Sequence, residues 1–279
     1  MLASKKRKST PGLKQRRFRQ RLIAYRETRP ARGKRKISRS AVPSFFTLMN
    51  LFCGFISLIQ VLEGRLAAAA WLILLASIFD ILDGMVARLT KGESQFGVEL
   101  DSLSDIVSFG VAPSFMIYVF GLREFGMAGV IIASLPALAG AVRLAKYNVD
   151  FEEEKGDYFN GLPIPVAGLA IVAIILNADL VLQFIEFVGE VNVTMITVIV
   201  LSGLMVSKIP FDSAPHPSAA YIRSHALKVF LVTGGFILVI IFREKGLLFI
   251  LIVYLLIGTG RALVLFVKAI RDVELLNPE

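Results

Sequence analysis

The sequence predicts an all-α, polytopic membrane protein, a bundle of about eight transmembrane helices. Three observations carry that prediction. The 279 residues are 55% hydrophobic, with a mean hydropathy of +0.68. The apolar residues gather in stretches of about 20, the length that crosses a bilayer, with brief connections that favour antiparallel neighbours. The charge is also segregated. Residues 1–40 hold sixteen Lys and Arg against one acid, Glu27, a net of +15; residues 41–279 hold fifteen against twenty-one acids, a net of −6. The whole-chain value of +9 therefore describes neither part.

Taken in order, residues 1–40 read as a basic, disordered cytoplasmic arm, and residues 41–279 as one transmembrane domain. No apolar core follows the arm's charges until about residue 44, so it is not a secretory signal; an Arg-rich transit peptide is an alternative that its lysines and prolines disfavour. The spans are expected at 44–62, 66–88, 97–120, 125–147, 162–183, 191–207, 227–242 and 246–268. Two connections, 148–161 and 208–226, are longer and polar. With the arm inside, Arg88, Lys91, Arg143, Lys146, Lys155, Lys208, Arg223, Lys228, Lys268 and Arg271 fall on the cytoplasmic side. Arg65, Arg123, Arg243 and Lys245 fall outside. This asymmetry places both termini in the cytoplasm of a multi-pass protein of the cell inner membrane. A disulfide scaffold is excluded because Cys53 is the only cysteine, and only His216 and His225 could join it in a Cys/His metal site.

Carboxylates inside membrane segments are costly and mark function. Four occur together: Asp80 and Asp83 near the end of the second span, Asp101 and Asp105 early in the third. Positions three or four apart share a helix face, so each pair points one way. The short turn between the spans brings both pairs to the cytoplasmic end of one hairpin. Four carboxylates in low dielectric need compensating charge, and Arg88 supplies one unit. Two divalent cations would supply the rest, and an all-oxygen ligand set selects Mg²⁺ or Mn²⁺ over Zn²⁺. Such a pair clamps in-line displacement at phosphorus. Gly84 and Gly97 leave room for a phosphate against the helix backbone, and Arg88 can face a diphosphate with its fork of donors. Capping or lysine pairing would account for one or two of the aspartates. A proton or cation pathway would also use buried carboxylates, but needs neither the glycines nor Arg88.

These residues resemble the signature of the CDP-alcohol phosphotransferase family, D-x-x-D-G-x-x-A-R, about eight residues, then G-x-x-x-D-x-x-x-D. Asp80, Asp83, Gly84, Ala87, Arg88, Gly97, Asp101 and Asp105 fill every fixed position. The resemblance implies a six-helix core, here with two further helices, a cytoplasm-facing active site, and a homodimer. It also implies that the aspartates hold the two metals, with Asp105 the catalytic base, and that Gly84, Ala87, Arg88 and Gly97 seat the CDP group. PSFFTLMNLFCGF at 43–55 is similar to the first helix of serine-using members, which would place Thr47 and Asn50 near the nucleotide; Ser44 departs from the usual Asn. RLAKYNV at 143–149, FNGLPIP at 159–165 and LMVSKI at 204–209 are similar to those members too.

For such members the substrates are CDP-diacylglycerol and L-serine, and the products phosphatidylserine and CMP. Glycerol 3-phosphate or an inositol phosphate is the alternative acceptor, and an ion or proton carrier the alternative class. Serine's carboxylate needs a cation, for which Arg143 and Lys146 are available at the end of the fourth span. A phosphorylated acceptor would need more. The basic arm is expected to lie on anionic membrane lipids, at about 1 kcal/mol per nearby Lys or Arg; nucleic acid is a minor alternative.

Overall fold

A computed structural model describes residues 41–90, 92, 94–150, 158–188, 193–207, 209–212, 234, 235, 238, 239 and 241–260. The basic arm, most of the expected seventh span, and the end of the eighth lie outside them, as do Lys91, Lys155, Lys208, Arg223, Lys228, Lys268 and Arg271.

Helix α1 (Ala41–Leu62) and helix α2 (Leu66–Thr90) form an antiparallel hairpin. Gly64 turns the chain with φ +74°, a conformation that disfavours a side chain. Small residues let the two helices close: Ala69, Ala70, Ile73 and Ala76 are all fully buried, and the Ser57 hydroxyl donates to the Ala69 carbonyl at 3.0 Å. The bulky side chains face away, with Phe45, Phe52, Phe55, Trp71, Ile78 and Ile81 exposed. Small residues inward and aromatics outward is the packing expected in lipid.

Helix α3 (Gln95–Asp105) starts at Ser94, whose side chain accepts from the Gly97 N–H. It passes into a π-helical turn, Ile106–Val111, then helix α4 (Ala112–Ile117) and a second π-helical turn, Tyr118–Leu122. A 3₁₀ turn, Arg123–Phe125, and Gly126 at φ +55° break the run before helix α5 (Gly126–Asp150). The expected third and fourth spans thus correspond to two helical stretches divided by the break at 123–126. The first π-helical turn holds three consecutive buried residues, and each meets a different neighbour. Ser108 packs at Gly54 of α1, Phe109 at Gly168, and Gly110 at Ala137 of α5.

The expected fifth span, 162–183, is divided. Helix α6 (Ile164–Leu176) ends at Asn177, and helix α7 (Ala178–Val188) follows. Asn177 leaves helical geometry (φ −109°, ψ 35°), and its buried amide donates to the Ala173 and Glu244 carbonyls at 2.8 and 2.9 Å. Helix α8 is Val193–Val206. The two long polar connections also meet. Strand β1 (Tyr158–Asn160) pairs antiparallel with β2 (Pro210–Asp212), Phe159 opposite Phe211. Gly161, at φ +82°, turns β1 toward α6 and donates to the Ile209 carbonyl at 2.8 Å. Residues 241–260 are helical (α9), and Arg243, at φ 52°, sits where the sequence places the connection between the seventh and eighth spans.

Among the described residues, three helical runs are long and apolar enough to cross a membrane: Val42–Leu62, Leu66–Thr90 and Gln95–Asn148, the last 54 residues long. Helices α6 and α8 are apolar but shorter. The described residues are thus all-helical apart from one β ribbon of two three-residue strands, with three apolar runs of the length that a membrane protein uses.

Candidate active site

The site lies where the C-terminal part of α2 meets α3. Asp80, Asp101 and Asp105 each place a carboxylate oxygen within 4.8 Å of the others. Asp83 is 5% exposed and faces the Thr47 hydroxyl and the Gly84 N–H. The helical period explains why all four face inward: the spacings of three and four keep each pair on one stripe, and the seam with α1 covers it.

A second set of polar residues builds that seam. Thr47, Asn50 and Gly54 line one face of α1, spaced three and four apart; Ser104 of α3 and Ser108 of the following π-helical turn stand four apart. The Ser104 hydroxyl donates to the Thr47 carbonyl at 3.0 Å, and the Ser108 hydroxyl to the Asn50 carbonyl at 2.9 Å. With its backbone so held, Asn50 donates its side-chain amide to Asp105 Oδ1 at 3.2 Å, and both residues are buried. Asn50 therefore orients the Asp105 carboxylate. The sequence pointed to Thr47 and Asn50 but not to Ser104, Ser108 or Gly54; the matched small-polar spacing on the two helices was the available signal.

The glycines divide in role. A Cβ at Gly84 would stand 3.7 Å from the Arg88 guanidinium, so Arg88 lies over the glycine with its head exposed. At Gly97, a Cβ would stand 3.2 Å from the Ser94 hydroxyl, so this glycine also serves the cap that starts α3. Ala87 is half-buried between them in sequence. Arg143 of α5 turns inward, within electrostatic reach of Tyr147, Tyr254 and Asp105, and its Nε is buried without a hydrogen-bond partner. Lys146 is exposed. Nearby, the Asn148 amide donates to the Ser102 hydroxyl at 3.2 Å and ties the end of α5 to α3.

The donor set suits hard divalent cations. Asp83 Oδ2 and Asp101 Oδ1 are buried without a hydrogen-bond partner, and none of the four aspartates forms an ion pair with another described residue. A buried carboxylate oxygen without a donor is costly unless the group is protonated or meets a cation, and an oxygen-only set fits Mg²⁺ or Mn²⁺. This cluster could hold a metal.

Comparison with known proteins agrees with this geometry. The sequence profile of the CDP-alcohol phosphatidyltransferase family matches residues 40–206. A Helicobacter pylori protein named CDP-diacylglycerol--serine O-phosphatidyltransferase is 35% identical over 230 residues, 82% of this chain and 93% of that protein. A Bacillus subtilis protein of the same name is 35% identical over 63% of this chain and 90% of its own length. An archaetidylserine synthase of Methanothermobacter thermautotrophicus is 38% identical over 61% of this chain and 69% of its own.

Proposed function

We propose that this chain, which belongs to the CDP-alcohol phosphatidyltransferase family, moves a phosphatidyl group from CDP-diacylglycerol to L-serine, giving phosphatidylserine and CMP. The observation that carries the chemistry is the meeting of Asp80, Asp101 and Asp105 from two helices beside the buried Asp83. The names of relatives matched over most of the chain support serine as the acceptor.

In this reading two divalent cations, Mg²⁺ or Mn²⁺, held by Asp80, Asp83, Asp101 and Asp105, would neutralise the diphosphate when bound. Arg88, standing over Gly84, presents its guanidinium to the same diphosphate. Thr47, Asn50, Gly84, Ala87 and Gly97 border the nucleotide. Arg143 takes the carboxylate of serine with its unpaired Nε, and Lys146, at the exposed rim, adds a second positive charge. Asp105, held at Oδ1 by Asn50, accepts the proton of the serine hydroxyl at its other oxygen. The hydroxyl oxygen attacks the phosphorus that bears diacylglycerol, the bond to the CMP oxygen breaks, and CMP leaves.

The reading extends to the whole chain as a multi-pass protein of the cell inner membrane: about eight spans, six of them a family core, both termini cytoplasmic, and a homodimer. Residues 1–40 then act as an arm that binds anionic lipids, and residues 41–279 as the transmembrane domain.

Purified protein given CDP-diacylglycerol and Mg²⁺ or Mn²⁺ is expected to release CMP with L-serine, and not with glycerol 3-phosphate or inositol phosphate. Release only with a phosphorylated acceptor would overturn the serine assignment. No release with any alcohol would overturn the transferase, and ion flux across sealed vesicles would then support a carrier. Chelation with EDTA is expected to remove activity, and Mg²⁺ or Mn²⁺ to restore it. Asn50→Ala removes the donor that orients Asp105; a lost hydrogen bond to a charged group is worth about 1.5–3 kcal/mol, so turnover is expected to fall about tenfold to a hundredfold. An unchanged kcat would remove Asn50 from that role.

A further inference from the structure

Helix α5 runs back along α3 and its π-helical turn in a seam whose two ends differ. One end is apolar and close. A Cβ at Gly110 would stand 3.4 Å from the Ala137 Cα, and a Cβ at Gly140 would stand 3.3 Å from Ile106 Cδ1. The other end, two residues before α5 stops at Asp150, is polar. There the Asn148 amide donates to the Ser102 hydroxyl at 3.2 Å and to Glu99 Oε2 at 3.5 Å. Contacts at 102, 106 and 110 thus meet 148, 140 and 137, descending on one helix as they rise on the other, so the two run antiparallel.

The register of this seam sets where two functional groups stand. At about 1.5 Å per residue, Asp105 lies about 4.5 Å along α3 from Ser102. Arg143 lies about 7.5 Å along α5 from Asn148, in the same direction because the helices are antiparallel. Pairing Ser102 with Asn148 therefore brings the base and the acceptor-side cation to within about 3 Å of one depth. Apolar contacts are non-directional and do not by themselves fix the angle at which the helices part. A side-chain amide has two N–H donors, and here they reach two residues of α3 that share a face, three apart. That fork holds the end of α5 against the helix that carries Asp101 and Asp105.

We propose that Asn148 is a positioning residue for the acceptor: it locks the end of α5 to α3, so that Arg143 and Asp105 keep the one spacing that presents the hydroxyl of a small amino-acid alcohol to the base. It touches no substrate and acts through the two helices it joins, since reaction between bound groups depends on such spacing. This rests on the serine-transferase reading above and adds to it the contact that holds the two halves of the acceptor site together.

Asn148→Ala and Ser102→Ala each remove one side of the tie. In steady-state CMP release by the full chain, each is expected to raise the KM for L-serine about fivefold, the fold-change of a lost hydrogen bond between uncharged groups. The double variant is expected to do no more than Asn148→Ala alone, because one interaction cannot be lost twice. The KM for CDP-diacylglycerol is expected to match that of the wild type, since the residues that border the nucleotide lie on α1, α2 and α3 and none on α5. An unchanged serine KM in Asn148→Ala would overturn the proposal, and so would effects that add in the double variant. A parallel rise in both KM values would overturn it too, as the result of a packing role alone. The two readings fail separately: a wild type that releases no CMP with serine brings down the transferase reading and this proposal with it, whereas a wild type active on serine with an indifferent Asn148→Ala variant removes only Asn148.

Discussion

Asp105→Asn is expected to lower CMP release at least about a thousandfold, within the range that general acid–base catalysis contributes, while the protein remains folded. The carboxamide has nearly the shape of the carboxylate, and its oxygen can still accept from the Asn50 amide that bonds Asp105 Oδ1 at 3.2 Å. It has no basic lone pair to take the acceptor's proton, and it is a weaker ligand for a hard cation. Thermal stability is not expected to fall, because the substitution removes one of four like charges gathered without ion-pair partners. The measurement is CMP release alongside a melting curve in detergent. Residual activity above about a tenth of wild type, less than any general-base contribution, would remove Asp105 as the base. Loss of activity together with a collapsed melting curve would show a structural effect instead.

Gly54→Val is the second large effect, and it acts through packing. A Cβ at Gly54 would meet the Ser108 hydroxyl and stand 2.9 Å from the Ser108 Cα, a backbone atom in the middle of a helical turn. Neither helix can yield locally, so α1 and the π-helical turn must separate. The Ser108–Asn50 and Asn50–Asp105 hydrogen bonds are then lost together. Overpacking costs typically about 1–3 kcal/mol, occasionally more, and here the strain falls on the seam that holds the Asp105 carboxylate. Melting temperature and CMP release are expected to fall in parallel. Gly203→Ala is the control: that helical glycine has nothing within 4 Å of its added Cβ, and the change is expected to stabilise by roughly 0.5–1 kcal/mol. Equal behaviour of the two variants would show that the Gly54–Ser108 contact does not govern the site.

Much of the architecture could be read directly. The α1–α2 hairpin, the end of α2 and start of α3, and the break at 123–126 fall within a few residues of the expected boundaries, because long apolar runs and glycine turns are local properties. The four aspartates were legible for the same reason: spacings of three and four in an apolar segment define one face before any partner is known. The division of α6 from α7 at Asn177 was not legible. Its cause is a hydrogen bond to the Glu244 carbonyl, 67 residues away. The β ribbon was hidden for a similar reason, since each strand is three residues long and its partner lies beyond three helices.

Arg143 and Lys146 show the limit most clearly. Both are cations near the end of one span, and sequence alone treats them alike. The structure buries the Arg143 Nε and exposes Lys146, because the rotation of α5 against α3 and α9 is a property of packing. The sequence by itself determined the all-helical membrane character, the cluster of carboxylates and their preference for hard cations, since residue type and helical period suffice for these. Only the tertiary structure decided which groups serve the carboxylates: Asn50 on Asp105, with Ser104 and Ser108 holding the helix seam beneath it. Those partners come from separate helices, and contact between helices follows from the close packing of small residues along their seams, which no single segment encodes.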